Sequence, residues 1–189
     1  MEIGLFFGSF NPIHIGHLII AQYFLTNSEI NEIWFIVSPH NPLKRKSDLF
    51  DPSHRLEMVR LAIEDNEKMV ASDIEFSLPA PSYTINTLSV LSINHPKRDF
   101  VILMGADSLD TIQEWKNYQK ILDNYKIYIY PRKDSFTIKN KFKKYDIQKF
   151  NAPIIEISST LIRDNLRNKN PIKYLVPGSI FEYLTRLKQ

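Results

Sequence analysis

Cysteine is absent from the 189 residues, which removes a disulfide framework, a thiolate zinc site and a cysteine nucleophile together. Stability must therefore come from packing. Long apolar runs are missing too: the longest, residues 100–106, falls far short of the roughly 20 residues a membrane span needs. The opening Met1-Glu2-Ile3-Gly4-Leu5-Phe6-Phe7 carries an acid at position 2 and neither a cationic stretch nor a small-residue cleavage site, so it does not read as a secretory signal. A soluble, cytoplasmic protein is the expectation. Charge of one sign is scarce as well. With 24 basic and 21 acidic residues the formal net charge is only +3, too little for a protein that coats nucleic acid, so any basic function must be local.

What is present is ordinary globular material. At 43% hydrophobic and 24% charged the chain is neither disordered nor fibrous, and at about 150 residues per domain its length predicts one domain over residues 1–189. Strand-length apolar runs at residues 3–7, 32–37, 100–104 and 126–130, with a weaker one at 69–76 and a short last one at 154–157, alternate with helix-length amphipathic segments. That alternation predicts an α/β fold: a Rossmann-like open parallel sheet with helices on both faces.

The helices read as follows. Residues 16–26 place Leu18, Ala21 and Leu25 on one stripe, and Asp51-Pro52 is an N-cap followed by proline at the first helical position, opening a helix to residue 64 with Leu56, Val59 and Ile63 inward. Residues 83–93, with Ser82 as cap, turn Ile85, Leu88 and Leu91 inward, and Ser158 or Ser159 caps a helix to residue 168. Pro177 opens a terminal helix carrying Ile180, Tyr183, Leu184 and Leu187. Residues 132–150 give no clear pattern beyond loop and short helix.

The segment richest in chemistry is Gly8-Ser9-Phe10-Asn11-Pro12-Ile13-His14-Ile15-Gly16-His17. It puts a glycine turn directly after the first strand, then two histidines three apart at a helix start. Glycine lets backbone approach a ligand, and helix amides with the positive end of the dipole favour an anion such as phosphate. His14 and His17, as i, i+3 neighbours, converge on one point and can both donate to phosphoryl oxygens. The competing readings are two helix-capping histidines without a ligand, or a zinc pair, which would need a third ligand. Neither G-x-x-x-x-G-K nor G-x-G-x-x-G occurs here. A second helix start, Ile157-Ser158-Ser159-Thr160-Leu161-Ile162-Arg163, offers hydroxyls from Ser159 and Thr160 and, one turn on, the phosphate-matching fork of Arg163. Two anion-type helix starts in one chain are harder to dismiss than one.

Taken in order, these residues resemble a known superfamily. Phe7 to His17 is similar to the H-x-G-H signature of the nucleotidyltransferases, and Ile157 to Arg163 to their I-S-S-T-x-I-R signature. Ser82-Tyr83-Thr84-Ile85-Asn86-Thr87-Leu88, Met104-Gly105-Ala106-Asp107-Ser108-Leu109 with Trp115, and Tyr174-Leu175-Val176-Pro177 resemble one branch, the bacterial nicotinate-mononucleotide adenylyltransferases.

The resemblance implies transfer of AMP from ATP to nicotinate mononucleotide, giving the deamido dinucleotide of NAD biosynthesis and pyrophosphate, with Mg²⁺ carried by ATP rather than by a protein ligand set. It implies that His14 and His17 are catalytic and that Gly8, Ser9 and Phe10 hold the triphosphate through their amides. Ser159, Thr160 and Arg163 would hold the β- and γ-phosphates, and Gly105 and Asp107 the adenosine side. Tyr83, Thr84 and Trp115 fall on the nicotinate pocket, where an aromatic plane stacks on the pyridine ring. Lys44, in the polar loop of residues 38–44, and Arg132, after Pro131, correspond to basic residues near the acceptor.

The alternatives are pantetheine-phosphate adenylyltransferase, which shares the first signature, and a nucleotide-binding module without turnover. Neither a nucleic-acid nor a membrane partner is expected. Lys139, Lys141, Lys143, Lys144 and Lys149 read as a solvated face, since one short basic segment without a nucleic-acid motif is weak evidence for RNA binding.

Overall fold

The computed structural model describes residues 1–40, 49–132 and 136–187. Six strands form one sheet: β1 (Glu2–Gly8), β2 (Ile30–Val37), β3 (Met69–Ser72), β4 (Asp99–Gly105), β5 (Lys126–Tyr130) and β6 (Ile147–Lys149). Their order is β3-β2-β1-β4-β5-β6, and every neighbouring pair is parallel. The helices are α1 (Ile15–Asn27), α2 (Pro52–Ile63), α3 (Thr84–Asn94), α4 (Ala106–Asp110), α5 (Tyr118–Asn124), α6 (Ser159–Arg167) and α7 (Gly178–Leu187).

A parallel sheet needs both faces covered, so its strands are apolar throughout and send alternate side chains to opposite cores. On β4, Val101 and Leu103 join one cluster and Ile102 and Met104 the other; on β5, Tyr128 and Tyr130 oppose Ile127 and Ile129. The first core is closed by Ile20, Ala21 and Phe24 of α1, Met58 and Val59 of α2, Ile162 of α6 and Ile180 and Leu184 of α7. The second is closed by Leu88 and Leu91 of α3, Leu109 of α4 and Ile121 of α5. The open parallel sheet with helices on both faces is therefore as expected.

Several local expectations are corrected. On α1 the buried set is Gly16, Ile20, Ala21 and Phe24 rather than the stripe Leu18, Ala21, Leu25; the helix is apolar on most sides, so periodicity alone does not choose the face. The run at residues 69–76 pairs only as far as Ser72, after which Ile74–Phe76 forms a 3₁₀ turn. The last strand is Ile147–Lys149, inside the stretch left unassigned, and residues 154–157 form no strand. Pro153 withholds a donor there, and Ile155 and Ile157 pack into the first core instead. Ser82 does not cap α3, whose N-cap is Tyr83. Asp51 and Ser158 do cap, accepting from the backbone amides of Ser53 (2.9 Å) and Leu161 (3.1 Å).

In this strand order the chain changes direction between β1 and β4, the adjacent pair from which connections run to opposite edges. Open α/β sheets place their ligand crevice at such a switch, beyond the carboxyl ends of the strands.

Candidate active site

A cleft of about 600 Å³ opens at that point. Gly8, Ser9 and Phe10 from the end of β1, Gly105 and Asp107 from the end of β4, His17 of α1, Tyr83 and Thr84 at the start of α3, Trp115, Arg132 and Ser159 all line it. Eleven of the fifteen sequence-predicted residues thus line one cleft, while His14, Thr160 and Arg163 do not reach its wall. Lys44 lies outside the described residues.

The histidine pair is built by its own helix start. His14 is the N-cap of α1, and its backbone amide donates to His17 Nδ1 at 3.2 Å. Nδ1 of His17 is thereby an acceptor, which puts the proton of the neutral ring on Nε2. The two rings lie 3.7 Å apart between centroids, and Phe10 and Phe6 stand edge-on to His17 at 5.1 and 5.9 Å. Gly16 is needed here because a β-carbon on it would sit 3.0 Å from His14 Nδ1 and 3.2 Å from Ile155 Cγ2. The glycine of the signature is the space in which the first histidine lies. His14 itself is buried rather than in the cleft wall, and among the described residues its Nδ1 has no hydrogen-bond partner.

Burial, with the Arg132 guanidinium adding to it, pushes the His14 imidazole down from the usual 6.5 to about 4. The ring is neutral at physiological pH, so any contact it makes is as a neutral donor. Between pH 6.5 and 4 the unfolded chain binds a proton that the folded chain does not, so this contribution to stability is present above pH 6.5 and is lost as the pH falls, by on the order of 3 kcal/mol in full. The thermal midpoint should drop over that window, and His14→Asn should flatten the drop. Superimposable pH profiles of parent and variant would place the titration in another group.

The second signature is joined to the first by side-chain hydrogen bonds. Ser159 Oγ donates to the Pro12 carbonyl (2.9 Å), while Arg163 Nη1 donates to the Asn11 carbonyl (3.0 Å) and Nη2 to Thr160 Oγ1 (3.2 Å). The start of α6 is therefore tied to the turn after β1, which brings the two signatures to one place. Only Ser159 of these three reaches the cleft wall. Tyr174-Leu175-Val176-Pro177 also has a structural reason: the Leu175 carbonyl accepts from the Ile15 amide (3.2 Å) at the start of α1.

On the β4 side Gly105 admits two charged groups to the strand end, since a β-carbon there would overlap Asp107 Oδ1 and come within 3.0 Å of Arg132 Nε. Arg132 Nε stands 3.6 Å from Asp107 Oδ1, its guanidinium lies over Tyr130 at 5.2 Å, and its charge is felt at His14. It belongs spatially with Asp107 and the histidines.

The opposite wall is aromatic. Tyr83 and Trp115 are half-buried, and the Lys116 ammonium sits 4.4 Å from the Tyr83 ring centroid. Behind them lies a carboxyl group that sequence reasoning missed. Glu75, buried, accepts from Ser38 Oγ (2.6 Å) and Thr87 Oγ1 (2.8 Å), and Ser82 also bonds to it. Burial pushes the Glu75 carboxyl above the usual range, partly offset by those hydroxyls. Its signal in the sequence was faint: an acid at the end of a strand-like run, between apolar neighbours. The lysine-rich segment is partly spoken for, with Lys139 on Asp110 (2.6 Å), Lys141 on Gln113 (3.1 Å) and Lys149 on the Phe136 carbonyl (2.8 Å). Among the described residues no helix is long and apolar enough to cross a membrane, and no three His, Cys, Asp or Glu side chains converge as a metal site.

Comparison with known proteins agrees with this geometry. The family model described as cytidylyltransferase-like matches residues 5–165. A protein of Flavobacterium psychrophilum named "probable nicotinate-nucleotide adenylyltransferase" is 50% identical over 97% of this chain and 96% of its own, and one of the same name from Cytophaga hutchinsonii is 45% identical over 100% and 97%. Among solved structures, nicotinic acid mononucleotide adenylyltransferase of Plasmodium falciparum, complexed with NaAD, superposes with a TM-score of 0.81 over 99% of this chain and 96% of its own; at 24% identity that likeness speaks for the fold.

Proposed function

We propose how this cleft works from one fact: the chain belongs to the cytidylyltransferase-like family and, within it, to the nicotinate-nucleotide adenylyltransferases. It transfers AMP from ATP to nicotinate mononucleotide, releasing pyrophosphate and the deamido dinucleotide, a step of NAD biosynthesis. A phosphate oxygen of the mononucleotide attacks the α-phosphorus, and the bond from that phosphorus to the α,β-bridging oxygen breaks. The attacking phosphate is already anionic at neutral pH, so no general base is required. What the chain must supply is positioning and stabilisation of charge.

In our reading the amides of Gly8, Ser9 and Phe10 receive the triphosphate, and His17, with His14 stacked behind it, donates to oxygens of the α-phosphate. Ser159, with Thr160 and Arg163, takes the leaving pyrophosphate, and Gly105 and Asp107 take the adenosine. Tyr83, Thr84 and Trp115 hold the nicotinate ring. Arg132 and Lys44 supply positive charge toward the bound phosphates. Magnesium, arriving with ATP, would neutralise part of the triphosphate charge. Such substrates fit a cytoplasmic enzyme.

The observation that carries this division is that the glycine turn, His17, Tyr83 and Trp115 all line one cleft. Pyrophosphate release with ATP and each of nicotinate mononucleotide, its amide, and pantetheine phosphate tests it. The acid mononucleotide should give the highest kcat/KM. Preference for pantetheine phosphate would overturn the acceptor assignment, and ATP binding without release for any acceptor would make the chain a binding module.

A further inference from the structure

Arg55 of α2 is fully buried, and its donors end on backbone carbonyls: Nη1 on Ser9 (2.6 Å) and Ser38 (2.8 Å), Nη2 on Pro39 (3.1 Å) and Nε on Phe50 (3.0 Å). A buried guanidinium is costly unless its donors are satisfied, so these carbonyls are held where its planar fork requires them. The consequence reaches the cleft. In a trans peptide the carbonyl and the following amide point in opposite directions, and the peptides from Gly8 to Phe10 are trans. With the Ser9 carbonyl turned inward to Arg55, the Phe10 amide faces the other way. The Gly8 carbonyl accepts from the Ser38 amide at 2.9 Å, so the Ser9 amide likewise points away from β2. Phe10 adopts a left-handed conformation, φ 43°, which an ordinary residue keeps only where its surroundings enforce it.

We propose that Arg55 is a positioning residue for the reaction: from inside the core it holds the Ser9 carbonyl so that the amides of the turn after β1 are aimed at the phosphates of ATP. The inference rests on the reading of that turn as the triphosphate site. Lysine at this position keeps the charge but not the fork, and methionine keeps neither.

The test measures Arg55→Lys and Arg55→Met with ATP and nicotinate mononucleotide varied separately, ATP affinity by calorimetry without acceptor, and the thermal midpoint. A KM for ATP raised about tenfold in Arg55→Met, partly restored in Arg55→Lys, with the KM for the mononucleotide within twofold, is the expected result. A folded Arg55→Met with parental ATP affinity and kcat would overturn the role, as would equal rises in both KM values, which mark general loosening. Should neither variant fold, amide exchange in the unaltered protein decides: ATP should slow exchange at Ser9 and Phe10, and unchanged rates would sink the proposal. Unchanged exchange at Ser9 and Phe10 in the parent marks failure of the triphosphate reading, whereas exchange slowed by ATP together with parental ATP affinity in Arg55→Met marks failure of the Arg55 role alone.

Discussion

His17→Ala should lower kcat by about 10²–10³-fold, the scale on which loss of one preorganised donor to developing charge is felt, while ATP affinity changes less than about fivefold. The asymmetry follows from when the contact matters. As the phosphoryl group passes between oxygens, negative charge gathers on its equatorial oxygens, and a fixed donor gains strength there that it lacks in the ground state. His17 is fixed in this sense: Nδ1 is occupied by the His14 amide at 3.2 Å, the ring is packed between Phe10 and His14, and the remaining nitrogen carries the proton. Its donor needs no reorganisation when the charge develops. Steady-state kcat set beside the calorimetric Kd for ATP reads the two effects separately. If affinity fell and kcat did not, His17 would be a ground-state binder, and the stabilising group would have to be sought in Arg132 or the turn amides.

How far this site was legible depends on what each residue answers to. The strands of the sheet centre were plain because a parallel sheet buried on both faces leaves continuous apolar runs; residues 126–130 match β5 at both ends. The edges were not. β6 is three residues long and largely exposed, so nothing in its composition separates it from loop, whereas Ile155 and Ile157 are apolar because they pack against the first core. Local motifs carried the two helix starts of α1 and α6, since a helix start with its cap is a short-range object. Arg55 and Glu75 went unread because their partners are distant in sequence: Ser9 lies 46 residues from Arg55 and Ser38 lies 37 from Glu75. A charged residue on the buried face of a helix, as Arg55 is with Val59 and Ala62, was the available clue. Both meet at Ser38, whose hydroxyl donates to Glu75 and whose carbonyl accepts from Arg55, so one buried network underlies both walls of the cleft.

Trp115→Ala should raise the KM for nicotinate mononucleotide between about five- and 150-fold and leave the KM for ATP within twofold. The range comes from stacking of a heteroaromatic ring on an aromatic side chain, about 1–3 kcal/mol by alanine replacement. Trp115 follows the 3₁₀ turn Ile112–Glu114, and its amide donates to the Ile112 carbonyl at 3.0 Å, so the ring is presented by a rigid turn and little ordering is left to binding. Tyr83, which lines the same cleft, is set by the start of α3 and by Lys116 above its ring. Trp115→Phe keeps an aromatic plane and should recover most of the loss, within about fivefold of the parent. Because the plane holds the ring and not its substituent, both variants should leave the ratio of kcat/KM for the acid and amide mononucleotides nearly unchanged. A collapse of that ratio in Trp115→Ala would show instead that the indole orients the carboxylate, and choice of the acid would then belong to Trp115.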